Sequence, residues 1–315
     1  MSFTDKLRLA QTCNNSWLCV GLDLDAEQIP ASLRNRADAV VTFNRAIIEA
    51  TRELVCAYKP NLAFYLARGS AGVDDLIQTI AAIPRDLPVI LDAKFGDIES
   101  SARGYARFAF ETLGADAVTV NPYLGADAIA PFLEYSDRAV FLLAHTSNPG
   151  ASTLQDMRVA TDAPEAMPEK LFVHVARFAK TLKGNGAVGL VVGATFPDQL
   201  RDAREANPSA VFLVPGIGTQ GGSLAEAVQF GSNDAGIGPI INASRSILYA
   251  SSDEDYAGAA RAATITLRDE IRKARPGRST FAPFQVNTQV AEKATDETGN
   301  FRSRAIRNHP PLSGA

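Results

Sequence analysis

Residues 88–98 read Pro-Val-Ile-Leu-Asp-Ala-Lys-Phe-Gly-Asp-Ile, a short apolar run that ends in charged side chains. An almost uninterrupted apolar run is typical of a strand in a parallel sheet that is covered on both faces. Because side chains alternate along a strand, Asp92 and Lys94 are predicted to point in the same direction at its carboxyl end. The stretch therefore predicts a buried parallel strand over 88–94 that carries functional side chains.

Seven further apolar runs occur along the chain, and longer segments of helical character lie between them. With 88–94 included, strands are predicted at 17–23, 55–59, 88–94, 116–121, 139–144, 187–192, 211–214 and 235–241. Helices are predicted at 37–54, 73–83, 100–113, 169–183, 223–230 and 256–274. Parallel strands need a crossover connection, which is usually helical. Eight such units favour an α/β fold of the (β/α)₈ TIM-barrel type over an open doubly wound sheet, in which GxGxxG typically follows the first strand.

The predicted organisation is a single barrel domain over residues 1–275 and a C-terminal extension over 276–315. The last predicted helix runs into Arg275-Pro-Gly, which is a strong helix stop signal. The extension is rich in Thr, Asn, Arg and Pro and has few aliphatic residues. We therefore expect it to be poorly ordered, with a functional arm as the alternative.

Composition argues against several classes of partner. The chain has 315 residues, 46% of them hydrophobic, and its net charge of −4 does not suit a nucleic-acid surface. No stretch approaches the roughly eighteen apolar residues of a membrane span, so no membrane partner is expected. The three cysteines form no CxxC pair, and the amino terminus has no apolar signal region. These features predict free thiols in a cytoplasmic protein.

Charged side chains are predicted at the carboxyl ends of three neighbouring strands. Asp23 ends the first strand and Lys59 the second, beside Asp92 and Lys94 on the third. In a barrel these strand ends meet at the mouth, where catalytic residues lie. A solvated salt bridge is the alternative for any one pair. An alternating array of lysines and aspartates on three strands favours a preorganised electrostatic site.

Two loops of small residues follow the predicted seventh and eighth strands. Residues 214–222 read Val-Pro-Gly-Ile-Gly-Thr-Gln-Gly-Gly before a helix, and 242–245 read Asn-Ala-Ser-Arg. Open backbone N–H groups at a helix start bind anions, and barrel phosphate sites are often built from these two loops. Arg245 can bind phosphate oxygens through two hydrogen bonds, and Gln220 can donate one. A structural turn would explain either loop alone, but the two together favour a phosphate site.

A long segment, 147–168, follows the fifth strand, and we interpret it as an active-site lid. Ser147 and the nearby backbone can read the polar edge of a flat base. A serine nucleophile is disfavoured because no acid–base partner can be assigned to it. His145, at the end of the strand, is interpreted as structural. With no histidine cluster in the sequence, no metal site is predicted.

These motifs resemble the orotidine 5′-phosphate decarboxylase family, in its longer bacterial branch. Residues 92–101, Asp-Ala-Lys-Phe-Gly-Asp-Ile-Glu-Ser-Ser, are similar to the DxKxxDI signature of that family and the Ser or Thr that follows it. The segments Tyr-Lys-Pro at 58–60, Ser-Asn-Pro-Gly at 147–150 and Pro-Gly-Ile-Gly-Thr-Gln-Gly-Gly at 215–222 match further family motifs in the right order. The resemblance covers about 17–248, the barrel without the extension.

The resemblance implies conversion of orotidine 5′-phosphate to UMP and CO₂ in de novo pyrimidine biosynthesis, without metal or cofactor. It implies that Lys94 stabilises a carbanion at C6 and protonates it, with Asp92 and Lys59 holding the array. It also implies a homodimer with shared active sites, in which Asp97 reaches into the neighbouring subunit's site. The implied substrate-binding residues are Asp23, Ser101, Ser147, Gln220, Ser244 and Arg245.

Two other functions are consistent with parts of the pattern. A phosphosugar lyase or decarboxylase of the same superfamily has a similar DxKxxD motif and would normally need Mg²⁺. A barrel could also bind UMP as a sensor without turning anything over. Ile98, Ser101 and the Ser-Asn-Pro-Gly loop favour the orotidylate branch. A complete lysine–aspartate array is costly to bury and serves no purpose in binding alone.

Overall fold

The computed structural model describes residues 1–160, 167–217 and 221–275. The extension predicted over 276–315 and Gln220, one of the predicted phosphate ligands, lie outside the described residues, as does part of the predicted lid. The predictions made for them remain predictions.

Eight parallel strands form a nearly closed barrel, which confirms the predicted fold. The strands are β1 Leu18–Leu22, β2 Ala57–Pro60, β3 Ile90–Phe95, β4 Ala117–Val120, β5 Ala139–His145, β6 Ala187–Val192, β7 Phe212–Val214 and β8 Ile240–Ala243. Hydrogen bonding places them in the order β2, β1, β8, β7, β6, β5, β4, β3. Parallel bridges from Tyr58 to Val89 and from Asn61 to Asp92 join β2 to β3. The predicted strands therefore lie side by side in sequence order around the barrel.

The helices lie between the strands, as expected for repeated βα units. They are α1 Phe3–Cys13, α2 Ala39–Thr51, α3 Leu62–Leu66, α4 Gly69–Ala82, α5 Glu99–Arg107, α6 Ala126–Leu133, α7 Ser152–Gln155, α8 Leu171–Thr181, α9 Pro197–Ala206, α10 Leu224–Gly231, α11 Arg245–Leu248 and α12 Tyr256–Ala274. Phe108–Thr112 forms a π-helical turn, and Ala26–Gln28, Pro122–Leu124 and Pro149–Ala151 are 3₁₀ helices. Arg158–Val159 and Glu169–Lys170 pair as a short antiparallel ladder.

The predicted start of the eighth strand was wrong by five residues. The apolar run was expected to be extended from residue 235, but β8 begins only at Ile240. Gly236 has a φ of +75°, and the Asn233 carboxamide accepts a hydrogen bond from the Ile237 N–H. Pro239 has no N–H to donate to a neighbouring strand. The first half of the run therefore forms a turn.

Helix α1 covers the amino-terminal end of the barrel. Phe3 and Leu7 are buried in the apolar cluster that fills the barrel between the beginnings of the strands, and the Phe3 ring meets Phe141 edge to face at 5.6 Å. Lys6 forms an ion pair of 2.7 Å with Asp116, immediately before β4. With the amino-terminal end closed in this way, the carboxyl ends of the strands remain open for a site.

A second, larger apolar cluster fills the layer between the outer faces of the strands and the helices, and includes Val20, Leu91, Val118, Leu142 and Ile241. Because the strands are covered on both faces, their sequences are apolar almost throughout. Within the described part of the chain, no helix combines the length and the apolar character that crossing a membrane requires.

Candidate active site

A cavity of about 710 Å³ opens at the carboxyl ends of the strands. Its walls include the ends of β1, β2, β3, β7 and β8 and the loop that follows β5. Seven of the residues predicted for the site line it: Asp23, Lys59, Asp92, Lys94, Ser147, Ser244 and Arg245. The barrel topology therefore brings most of the predicted site together.

The lysine–aspartate array forms a connected set of ion pairs on β2 and β3. The Lys59 ammonium donates to Asp92 Oδ2 at 2.9 Å, and the Lys94 ammonium donates to Asp92 Oδ1 at 2.5 Å. Lys59 also lies 3.5 Å from Asp23 Oδ1. Asp92 thus holds a lysine on each of its two oxygens.

The two lysines differ in exposure, although both contact Asp92. The Lys59 side chain is 3% exposed and the Lys94 side chain is 48% exposed. Lys59 is therefore packed into the wall, while Lys94 faces the open cavity and is available to a ligand.

The environment keeps both members of the inner pair charged. Burial alone would lower the pKa of Lys59, but the charges of Asp23 and Asp92 outweigh burial and raise it. Burial would raise the pKa of Asp92, but Lys59 and Lys94 outweigh it, and the pKa lies well below its usual range. A buried ion pair of this kind stays ionised across the whole physiological pH range.

Asp92 and Lys94 meet by a different route from the one predicted. Simple alternation along a regular strand was expected to bring them together. Instead Lys94 has a φ of +52°, and the pairing register between β3 and β4 shifts between Leu91 and Phe95. The left-handed conformation is uncommon for a side chain of this size. The backbone is therefore kinked at the residue whose ammonium reaches Asp92.

Sequence reasoning missed Thr119, which lies on β4 behind the array and also lines the cavity. Its hydroxyl accepts hydrogen bonds from the N–H groups of Ala93 and Lys94, at 3.0 and 2.9 Å, and donates to Asp92 Oδ1 at 3.0 Å. The only signal in the sequence was a polar residue on an otherwise apolar strand.

Asp23 belongs to a polar network where β1 meets β8. Its second oxygen accepts a hydrogen bond of 2.7 Å from the Ser244 hydroxyl. The Tyr249 hydroxyl donates to the Asp23 carbonyl and accepts from the Asp25 N–H. Asn242 lies behind Ser244 in the cavity wall and was also missed. The network fixes the Asp23 carboxylate at the cavity edge.

The two loops predicted to bind phosphate form the wall beside this network. Gly216 has a φ of +101°, and a Cβ on Gly222 would lie 2.6 Å from the Gly216 carbonyl oxygen, so both positions require glycine. Arg245 is exposed and lines the cavity. Its guanidinium makes no hydrogen bond or ion pair with any other described residue. It is therefore available to an anionic ligand.

Hydrogen bonds join residues near the start of the loop after β5 to one another. The Gln155 side chain accepts a hydrogen bond of 2.8 Å from the Thr146 N–H and donates one of 2.9 Å to the Thr146 hydroxyl. The next residue, Ser147, lines the cavity, and its carbonyl oxygen accepts a hydrogen bond from the Thr195 hydroxyl. This arrangement orients Ser147 at the cavity edge.

His145 is fully buried and outside the cavity wall. Its ring packs edge to face on Phe172 and Phe196, with centroid distances of 5.1 and 4.8 Å. Burial lowers its pKa, although Asp156 lies 3.5 Å from Nε2. These contacts support the structural interpretation of this residue.

Among the predicted site residues that the structure describes, Asp97 and Ser101 are the two that the fold does not bring into the cavity of their own chain. Asp97 follows β3 and accepts a hydrogen bond of 2.8 Å from the Ile98 N–H. Ser101 lies exposed on α5. Neither lines the cavity.

Among the described residues, no group of three or more His, Cys, Asp or Glu side chains is arranged to hold a metal ion. The cavity instead combines a charged array on one side with the exposed Arg245 and one glycine-rich loop on the other. A (β/α)₈ barrel with these two features at the carboxyl ends of its strands belongs to the class of barrel enzymes that act on small phosphorylated molecules.

Comparison with known proteins identifies the family. The chain belongs to the orotidine 5′-phosphate decarboxylase / HUMPS family, whose model matches residues 16–261. The chain is 50% identical over 276 residues to the orotidine 5′-phosphate decarboxylase of Thermomicrobium roseum, covering 87% of this chain and 96% of that protein.

Two solved structures are also similar to this chain in sequence and in fold. The Leishmania donovani OMP decarboxylase is 41% identical, with a TM-score of 0.74, and the match covers 87% of this chain and 99% of that one. The UMP synthase of the same organism is 42% identical, with a TM-score of 0.76. The match covers 87% of this chain but only 57% of the longer synthase.

Proposed function

We propose that this chain catalyses the decarboxylation of orotidine 5′-phosphate to UMP and CO₂ in de novo pyrimidine biosynthesis. The observation that carries the proposal is the Lys59–Asp92–Lys94 array, which shares one cavity with Arg245, a residue whose guanidinium has no partner among the described residues. The family assignment, at 50% identity to a relative named for this activity, supports the same reaction. The chain is a carboxy-lyase.

The chemical difficulty lies at C6 of the pyrimidine. When the bond from C6 to the carboxylate breaks, its electron pair stays on C6 in the plane of the ring, where the ring cannot delocalise it. Lys94, the half-exposed lysine, is the group that places a positive charge against C6. The same ammonium then gives its proton to C6, which yields UMP, and takes a proton back from water.

Asp92 and Lys59 act by holding Lys94 in place. Asp92 stays ionised between the two lysines and accepts a hydrogen bond from each. Because these charges are already oriented before the substrate binds, little reorganisation is needed during the reaction. We also assign Asp92 to a position near the substrate carboxylate. We base the rate on carbanion stabilisation and not on repulsion between the two carboxylates.

The remaining groups bind the parts of the substrate that do not react. Asp23, Lys59 and Ser147 all line the cavity, and we assign Asp23 and Lys59 to the ribose hydroxyls and Ser147 to the polar edge of the base. Arg245 and Ser244, together with the backbone of the glycine-rich loop, suit the 5′-phosphate, and Gln220 is expected to join them. Binding energy from the phosphate would then position C6 against Lys94.

The active enzyme is proposed to be a homodimer with shared sites. Asp97 and Ser101 both lie on the stretch after β3, outside their own cavity. Exposed apolar side chains occur on this stretch and on the segments that follow the neighbouring strands β2 and β4: Phe64, Leu66, Ile98, Tyr105, Tyr123 and Leu124. An apolar surface of this kind suits contact with a second copy, through which Asp97 would reach the partner's cavity.

Mixing two inactive variants tests the shared site. Lys94→Ala and Asp97→Ala homodimers are each expected to be nearly inactive. After random subunit exchange, half of the dimers are mixed, and each of these has one intact site, so about a quarter of all sites should recover. Differently tagged chains confirm that exchange has occurred. If exchange is complete and no activity returns, Asp97 acts within its own chain.

We also propose a cytoplasmic location, which the free state of Cys13, Cys19 and Cys56 supports.

A direct assay tests the reaction. Purified protein mixed with orotidine 5′-phosphate should remove the orotate absorbance, and activity should survive exhaustive EDTA treatment. Lys94→Ala serves as the blank. Activity on phosphosugars that Mg²⁺ restores would favour the related lyases. Tight binding of UMP with no turnover of orotidine 5′-phosphate would favour a sensor.

A further inference from the structure

The Thr119 hydroxyl connects strand β4 to both ionised groups that reach the open cavity from β3. It is 1% exposed. It donates to Asp92 and accepts from the backbone N–H groups of Ala93 and Lys94, all at 2.9–3.0 Å. No other side chain in the described part of the chain hydrogen-bonds to both the Asp92 carboxylate and the Lys94 backbone.

These three bonds use the whole hydrogen-bonding capacity of a hydroxyl group, which has one proton and two lone pairs. Because both lone pairs accept N–H donors from β3, the proton has only one direction left, toward Asp92. The backbone of β3 therefore orients the donor that fixes Asp92 Oδ1, the oxygen that also accepts from Lys94 at 2.5 Å.

The same contacts hold the backbone where it is kinked. Lys94 has a φ of +52°, and the register between β3 and β4 shifts on either side of it. A non-glycine residue in this conformation persists only when surrounding contacts hold it. The bond from the Lys94 N–H to Thr119 is one such contact, and it comes from outside the strand.

We infer that Thr119 is a positioning residue for the reaction proposed above: it orients Asp92 and holds the Lys94 backbone, so that the Lys94 ammonium meets C6 of the substrate. Its own polar atoms are fully used within the protein, so it acts through the two charged residues and not by contact with the reacting atoms. This role rests on the proposed decarboxylation.

The test compares Thr119→Val, which keeps the shape and removes the hydroxyl, with Thr119→Ser, which keeps the hydroxyl. Thr119→Val is expected to lower kcat by about 100-fold, the cost of a misplacement near 1 Å at a reacting centre. UMP affinity should change less than about threefold, because ground-state binding does not use Lys94. Thr119→Ser should keep kcat within about threefold of wild type, since all three hydrogen bonds can form.

Thr264→Val is the matched control. Thr264 is also fully buried, but its hydroxyl donates to the Ala260 carbonyl within α12, and neither residue lines the cavity. This variant should lower Tm and leave kcat unchanged. The inference is overturned if Thr119→Val retains kcat near wild type, if Thr119→Ser loses as much kcat as Thr119→Val, or if kcat falls equally in the Thr264 control.

Failure of the inference and failure of the proposed reaction are distinguishable. A wild-type protein that does not decarboxylate orotidine 5′-phosphate contradicts the reaction. A crystal structure of Thr119→Val then still tests the positioning role, because Lys94 should leave the left-handed region or separate from Asp92. An unchanged array in that structure would overturn the inference. If Thr119→Val does not fold, Thr119→Ala, which relieves any crowding, replaces it in both measurements.

Discussion

The two sides of the cavity are built on opposite principles. On the side of β2, β3 and β4, the charged groups of the array are already paired with one another. Asp92 accepts hydrogen bonds from Lys59, from Lys94 and from the Thr119 hydroxyl. On the side of β7 and β8, Arg245 has no partner among the described residues, and the neighbouring loop contains Gly216 and Gly222, where a side chain would not fit.

The difference indicates what each side does. A group whose partners are in place before the substrate arrives can stabilise charge that develops during the reaction, without reorganising. A cationic group without a partner in the protein forms its ion pair only when an anionic ligand binds, so it contributes to the affinity for that ligand. We therefore expect substitutions on the array side to lower kcat and substitutions on the phosphate side to weaken binding.

The largest effect is expected from removing the exposed lysine of the array. Lys94→Ala should lower kcat by at least about 10⁴-fold, because it removes the group that we propose both places positive charge against C6 and protonates it. UMP affinity and Tm should stay close to wild type, as expected when an interaction is made only in the transition state. Steady-state kinetics with orotidine 5′-phosphate, calorimetric UMP titration and thermal unfolding measure the three quantities.

Lys180→Ala, which truncates an exposed lysine on α8, is the control for loss of a positive charge, and it should leave all three quantities unchanged. Substantial residual decarboxylation by Lys94→Ala would remove this lysine from the centre of the mechanism.

On the phosphate side, Arg245→Ala should weaken the binding of substrate and of UMP by roughly 2–4 kcal/mol, the cost of losing a charge-assisted contact at a binding site. Binding of uridine, which lacks the phosphate, should change little. Titration of both ligands into wild type and variant measures the difference. Equal losses for UMP and uridine would assign Arg245 to structure and not to phosphate binding.

The charged array should also contribute to the free energy of unfolding. Asp92→Asn should lower the free energy of unfolding by about 3 kcal/mol at pH 7, because buried Lys59 loses its closest counter-charge. The pKa of Asp92 is lower in the folded protein than in the unfolded chain. Its stabilising contribution is therefore complete above the unfolded value near 3.9 and is lost as pH falls through the folded value. Chemical denaturation of both proteins from pH 7 to 3 should show the difference shrink below about pH 4.

Asp38→Asn is the control for this measurement. Its ion pair with Arg36 and its hydrogen bond from Thr42 lower the pKa of Asp38 to about 2, yet the carboxylate is exposed on the surface. Solvent screens such a pair, so the variant should change stability far less. A difference between Asp92→Asn and wild type that does not depend on pH would contradict the assignment to charge.

The same contrast explains how much could be predicted from the sequence. Strand ends in a barrel meet in a fixed order, so Asp23, Lys59, Asp92 and Lys94 could be placed together from their positions alone. Loop composition likewise located the wall that contains Arg245. Both predictions depend on topology and residue type and need no side-chain geometry.

What the sequence could not predict depends on local conformation. The left-handed Lys94 and the register shift beside it break the simple alternation of β3, and residue types alone reveal neither this kink nor the hydrogen bonds that Thr119 makes to β3. The turn at Gly236 shortened β8 because an apolar run does not reveal its own backbone angles. Asp97 lies outside its own cavity, and apart from the family resemblance no pattern in a single chain indicates this position.

The most direct test of the division between the two sides uses a UMP analogue that carries an oxyanion at C6, such as ionised 6-hydroxyuridine 5′-phosphate. Its affinity relative to UMP should be measured by calorimetry in wild type, Lys94→Ala and Arg245→Ala. We predict that Lys94→Ala lowers affinity for the analogue by at least about 100-fold while UMP binding is nearly unchanged. Arg245→Ala should weaken both ligands by the same factor. If Lys94→Ala weakens both ligands equally, the array serves ground-state binding, and stabilisation of the C6 carbanion by Lys94 is contradicted.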